Sequence, residues 1–212
     1  DVLSRVIVGA QPALIIPIGV VLFAVLIGAP LGALAGYKGG WIDEVIMRIT
    51  DLFLAFPSLL LAMAIASALG RGLDKAAFAL VISWWPWYTR LVRGVTLSLK
   101  EKYFVEAAQA IGVRDTMIIL RHILPNTISP ILVQATVDLG TVILAMGGLA
   151  FLGLGTQPPS PDWGLMVSEG RTYILTQWWI ATFPGIAIFV VVLAFNLLGD
   201  TLRDIFDPRQ YK

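Results

Sequence analysis

One histidine, no cysteine and a single acid within the apolar stretches leave little room for covalent chemistry in this chain. Nucleophilic catalysis needs a nucleophile held against a base. The sole histidine, His122, lies in a charged connecting stretch, which removes the base from any intramembrane hydrolase. It also leaves no histidine-based metal centre, and without cysteine there is no disulfide, iron–sulfur cluster or thiol reaction. A Walker A phosphate loop, Gly-x4-Gly-Lys-Ser/Thr, does not occur, and no basic run suggests nucleic acid. The acid that stands out is Asp138. A carboxylate in mid-span is costly and usually faces a polar cavity or a partner, so Asp138 is a candidate for a solute pathway or its gate. The alternative is a structural hydrogen bond to Thr136, Thr141 or a neighbouring helix. A proton-coupled secondary transporter would need a relay of such groups, and only this one is present.

The second informative segment runs from Thr89 to Pro125. It is too long for a turn and too patterned for a linker. Lys100–Ala110 reads as a helix that Gly112 breaks; Asp115 is placed to cap a second helix reaching Leu124, which Pro125 ends. Met117, Leu120, Ile123 and Leu124 share one face of that second helix, an apolar stripe that needs cover. Pattern alone is equally consistent with a helical hairpin lying against a bilayer.

The elements that must position these groups follow from hydropathy. Of 212 residues, 58% are hydrophobic and 14% charged, with mean hydropathy +0.83; soluble globular chains carry roughly 25% charged residues. The charges are segregated. Windows 13–35, 52–70, 76–89, 127–154 and 173–198 make up just over half the chain and contain one charge, Asp138. That excludes a water-soluble globular protein and a disordered one, and continuous rather than alternating apolar runs disfavour a membrane barrel. The fold class predicted is all-α, a polytopic helical membrane protein. A hydrocarbon core of about 30 Å needs roughly 20 apolar residues of helix, giving spans at 13–35, 52–69, 76–92, 127–154 and 173–198. The third is the weakest, long enough only if Arg90 snorkels.

Basic residues set the orientation. Connections 36–51, 90–125 and 199–212 hold eleven Lys/Arg, Arg209 and Lys212 among them, against four in 1–12, 70–75 and 156–172. This places the 93–125 loop and the C-terminus in the cytoplasm and the 156–172 loop outside. Asp1 follows no methionine or signal peptide, so the sequence is expected to be a fragment lacking an earlier span. Arg90 and Arg93 read as topology anchors, and the Trp84–Tyr88 and Trp178–Trp179 clusters as interface anchors or, for Trp84, part of a solute route.

Glu106-Ala107-Ala108, then Gly112, then Ile123-Leu124-Pro125 resembles the EAA loop of ABC importer permeases, with the glycine and terminal proline at the family's spacing. Arg121-His122-Ile123-Leu124-Pro125-Asn126 departs from the general pattern at His122 and is similar to the dipeptide, oligopeptide and nickel permease subgroup. Gly36–Glu44, Ala55-Phe56-Pro57-Ser58, Phe151–Gly155, Trp163-Gly164 and Asn196–Asp200 resemble that subgroup's second permease subunit, so the likeness covers essentially the whole chain. It implies a six-span permease of the prokaryotic inner membrane that is not itself an enzyme and holds no cofactor. Mg-ATP would belong to two cytoplasmic ATPase subunits docked under the loop through Glu106, Ala107, Ala108, Gly112, Arg121, His122, Leu124 and Pro125, with the alanines closest. The resemblance also implies a second, related permease and an extracellular binding protein delivering a peptide-like solute, with oligosaccharide or nickel chelate as alternatives. Relatives often carry a glutamate where this chain has Met146. Here the acid stands at Asp138, eight residues earlier and about 80° round the helix, so Asp138, Met146 and Trp84 are the pathway candidates.

Overall fold

The computed structural model describes residues 1–206, so Arg209, Lys212 and the C-terminus, used above for orientation, lie outside the described residues. Those residues form helices and no strand. α1 spans Val2–Lys38, α2 Gly40–Leu54, α3 Ser58–Leu69, α4 Leu73–Lys100, α5 Tyr103–Ala110, α6 Asp115–Ile118, α7 Ile128–Phe151, α8 Trp163–Gly170 and α9 Trp179–Phe206. The all-α polytopic reading holds. α1, the α6–α7 unit Asp115–Phe151 and α9 are long and apolar enough to cross a membrane, and α2 with α3 would count as a fourth crossing if the bent pair is one span.

Several boundaries differ from those expected. The 1–12 connection is helical and belongs to α1, whose first turn is capped by Asp1 accepting from the Leu3 amide at 3.0 Å. The 52–69 span is not one helix. It breaks over Ala55–Pro57 and its two halves bend by 84°. Pro57 lacks an amide proton and disfavours helical geometry in Phe56 before it, which ends α2 where the apolar run continues. The 76–92 span lies inside α4, 28 residues long but too polar through Trp84–Arg93 to pass as a crossing on composition. The 173–198 span starts late, at Trp179.

Pro125 does not end its helix. A π turn over Ile119–Ile123 has Leu124 donating to the Ile119 carbonyl, and a 3-10 turn at Leu124–Thr127 carries the chain straight into α7. Proline is tolerated in the first turn of that 3-10 segment because its missing donor has no helical partner there. Asp115 is likewise the first helical residue, not the cap, which falls at Arg114 without a side-chain bond.

The core is built on the α1–α4 contact. Gly28, Gly32 and Gly36 recur every fourth residue, so they lie on one face of α1. A methyl group on Gly32 would collide with the Thr89 carbonyl and sit 2.9 Å from the Arg93 nitrogen; one on Gly36 would lie 2.8 Å from Thr96 Cβ. Small residues at this spacing let membrane helices approach closely. The four-residue period of these glycines is visible in the sequence, whereas the helix they meet is not. Around that seam Val20, Ala24, Leu80, Trp84, Tyr88, Val142 and Leu149 form one buried cluster joining α1, α4 and α7. At the opposite end of α1, α8 is anchored by Trp163 Nε1 donating to the Val6 carbonyl (2.8 Å) and by the Arg5–Glu169 pair (3.2 Å).

Candidate functional site: the α5–α6 hairpin and the buried acid

The Lys100–Leu124 segment folds as a compact helical hairpin beside the ends of α1 and α4. α5 has only eight residues and no side-chain N-cap, too short to be stable alone. Tertiary packing holds it. Val105 and Ala108 turn inward against Ala33, Tyr37, Val92, Ile118, Ile119 and Ile123, a second buried cluster. Gly112 ends α5 at φ +77°, with its amide donating to the Gln109 carbonyl (3.0 Å) and the Val113 amide donating to the Ala108 carbonyl (3.0 Å). That bond pair is a Schellman cap, and the accompanying apolar contact is Val113 folding back over the cluster that holds Ala108.

A polar chain fastens the hairpin to α1. Gln109 Nε2 donates to the Tyr37 hydroxyl (3.0 Å), which donates to Asp115 Oδ1 (3.2 Å), while Lys38 Nζ reaches Asp115 Oδ2 (2.5 Å). Two pairs likewise tie α4 to α2: Arg93 to Asp43 through two bonds of 2.5 and 2.6 Å, and Arg90 to Asp51 at 2.5 Å. Arg90 and Arg93, expected as topology anchors, are therefore also interhelical partners.

The expected coupling residues divide by side. Glu106, Ala107, Gly112, Arg121 and Pro125 are exposed; His122 is half-buried with its ring 6.4 Å from that of Phe104; Leu124 is partly buried. Ala108 is only 6% exposed and packs within its own chain, so it is not at the outer surface as expected. The stripe expected on the second helix is also displaced. Ile118, Ile119 and Ile123 are buried, whereas Met117 and Leu120 point outward, because the π turn adds a residue and rotates the face. With Tyr103 and Ile111 they give the hairpin an exposed apolar rim that sequence reading missed. Nothing in spacing alone separates a rim residue from a core one when the helix is not regular.

Asp138 lies on α7, 8% exposed. Gln134 Nε2 donates to its Oδ1 at 3.0 Å. Thr136 and Thr141, the partners considered from sequence, instead bond backward to the Leu132 and Val137 carbonyls. Across the α4–α7 contact its neighbour is Tyr88. The Tyr88 hydroxyl and Asp138 Oδ2 are the two buried side-chain polar atoms without a hydrogen-bond partner among the described residues. Trp84 and Met146, the other pathway candidates, are enclosed in the α1–α4–α7 cluster at 5% and 8% exposure.

The chain matches a family described as binding-protein-dependent transport system inner membrane component over residues 28–212. It is 47% identical over 209 residues to the dipeptide transport system permease protein DppC of Alkalihalophilus pseudofirmus, covering 99% of this chain and 69% of that one. It is 50% identical over 213 residues to the glutathione transport system permease protein GsiD of Escherichia coli O157:H7, covering 99% and 69%. Among solved structures, an inward-facing MetNI methionine ABC transporter superposes with TM-score 0.76 at 18% identity, over 97% of this chain and 98% of that one, a likeness of fold. Matched over residues 28–212 by this family and over nearly its whole length by these relatives, the helical chain belongs to the binding-protein-dependent transport system inner membrane components.

Proposed function

We propose that this chain, a transport subunit and not an enzyme, forms half of the translocation pathway of an ABC importer for short peptides or peptide-like solutes. The observation that carries the coupling role is the hairpin: a rigid, Schellman-capped element fastened to α1 by the Gln109–Tyr37–Asp115–Lys38 chain, with Glu106, Ala107, Arg121 and an apolar rim facing out. Such a piece transmits displacement without deforming. An ATPase subunit gripping it would move α1 and α4 as one body through their glycine seam. The pathway is completed by a second permease, each permease stands on one of two ATPases that hold Mg-ATP, and an extracellular binding protein hands over the solute. The loop carrying the hairpin and the C-terminus are cytoplasmic in this arrangement. The peptide class rests on the relatives named above, whose names specify dipeptide and glutathione transport.

The test is uptake of a labelled dipeptide into proteoliposomes containing the complete assembly, with ATP inside or outside the vesicle. Uptake that requires both ATP on the hairpin side and the binding protein on the other is the expected result. Uptake driven by a proton gradient without ATP would overturn it.

Asp138, Met146 and Trp84 meet solute, in this reading, in a state where α1, α4 and α7 have parted, since all three are enclosed here. Asp138→Asn should leave insertion and assembly intact, because an amide can still accept from Gln134, but should change the transport rate or its solute preference. If Asp138 serves structure alone, transport per assembled complex stays at the wild-type rate and thermal stability falls by about 1–3 kcal/mol, the cost of a mismatched buried polar group.

A further inference from the structure

The 84° break between α2 and α3 has a geometric consequence for α2. α3 is uncharged from end to end and presents Leu59 and Leu60 outward, as a membrane-inserted helix does. A helix at nearly a right angle to it lies close to the membrane plane. α2 carries four charged residues in fifteen, more than a crossing tolerates, and their placement is ordered. Asp43 faces inward to Arg93, and Asp51 reaches Arg90 on α4. Glu44 and Arg48 pair with each other along one exposed edge at 2.7 Å. Trp41, Val45, Ile49 and Leu52 are all exposed, between 46% and 73%. At about 100° per residue those four fall within an arc of roughly 80°.

We propose that α2 is a membrane-surface helix whose Trp41–Val45–Ile49–Leu52 stripe docks on the boundary between acyl chains and headgroups of the bilayer. Three features favour lipid over a protein partner. The stripe runs on through Phe56 into the outward apolar face of α3, making one continuous greasy surface around the bend. Its flanking edge is charged yet internally paired, which suits a water-facing rim. The remaining face is taken up by the bonds to α4, which fix the helix's roll and so keep the stripe outward. Helices of this kind settle about 5–10 Å into the interface. The α2–α4 ion pairs would then make the membrane surface itself part of the support on which α4 rests.

The chain contains no cysteine, so a nitroxide can be placed at single sites in the assembled transporter once partner thiols are blocked. Trp41→Cys, Val45→Cys, Ile49→Cys and Leu52→Cys would be labelled and reconstituted in phosphatidylcholine–phosphatidylglycerol vesicles. Depth is read from collisions with oxygen against a water-soluble nickel chelate. All four labels should report one shallow depth, agreeing within about 5 Å, with oxygen favoured. Labels at Glu44→Cys and Arg48→Cys should instead meet the chelate. A depth that changes steadily by about 16 Å from site 41 to site 52, the length of that stretch of helix, would mean α2 crosses the bilayer. Labels at 45 and 49 shielded from both reagents in the complex would mean a protein covers the stripe. Either result overturns the proposal, and neither bears on whether the chain is a permease.

Discussion

Replacing Gly32 by leucine is expected to remove folded chain from the membrane. A Cβ at this position meets the Thr89 carbonyl and lies 2.9 Å from the Arg93 nitrogen, both backbone atoms of α4. Backbone within a helix cannot rotate aside as a side chain can, so the two axes must separate. Overpacking a tight contact typically costs about 1–3 kcal/mol when side chains yield; here separation also opens the cluster of Val20, Leu80, Tyr88 and Val142 that depends on it. A loss of at least ~3 kcal/mol follows, a large share of the 5–15 kcal/mol that holds an ordinary domain. Detergent-solubilised Gly32→Leu should show an aggregated elution profile and no cooperative melt, with Gly32→Ala in between. Gly94→Ala, on α4 with nothing within 4 Å of the added carbon, should behave as wild type. A monodisperse Gly32→Leu with an unchanged Tm would show that α1 and α4 do not pack through this face.

The second large effect separates two neighbouring alanines. Ala107→Trp places a bulky ring on the exposed side of α5, where the hairpin would meet an ATPase subunit, and should leave the hairpin's own packing alone. Co-purification of the ATPase should fall roughly tenfold or more, about 1.4 kcal/mol, with Tm of the permease unchanged. Ala108→Trp forces the same ring into the cluster of Tyr37, Ile118 and Ile123. It should melt the hairpin, seen as new protease cleavage between Lys100 and Leu124, and lose coupling as a consequence. Gly112→Val, at φ +77° in open space, strains the cap by ~1 kcal/mol or more without a clash, so its hairpin should loosen without the full collapse of Ala108→Trp. If Ala107→Trp binds the ATPase normally and Ala108→Trp releases it with an intact hairpin, the inward and outward faces have been assigned the wrong way round.

Much of this was open to reading from composition and spacing. Segregated charge required membrane helices, because unpaired charge in hydrocarbon costs more than a fold of this size can absorb. Glu106-Ala107-Ala108, Gly112 and Leu124-Pro125 marked the hairpin, and Gly112 was correctly placed at its turn, since only glycine takes a positive φ there without cost. Asp138 was singled out because one acid in a long apolar run is conspicuous at any geometry.

Other features were settled only by tertiary structure. Whether Ala108 or Ala107 faces outward depends on which side of α5 the cluster of Ile118, Ile119 and Ile123 occupies, and that side was reset by a π turn that no periodicity announces. The continuation through Pro125 and the break at Pro57 use the same residue to opposite ends: one lies in the first turn of a segment, where its missing donor is harmless, the other follows a completed helix and stops it. That Asp138 is bonded by Gln134 on its own helix and has the unpartnered Tyr88 hydroxyl for a neighbour across from it required knowing the rotation of α7 and its contact with α4. Sequence determines which residues can live in a bilayer, because transfer free energy belongs to each side chain. Which of them meet each other is decided by helix rotation and approach, and these are properties of pairs of elements that no single stretch of sequence contains.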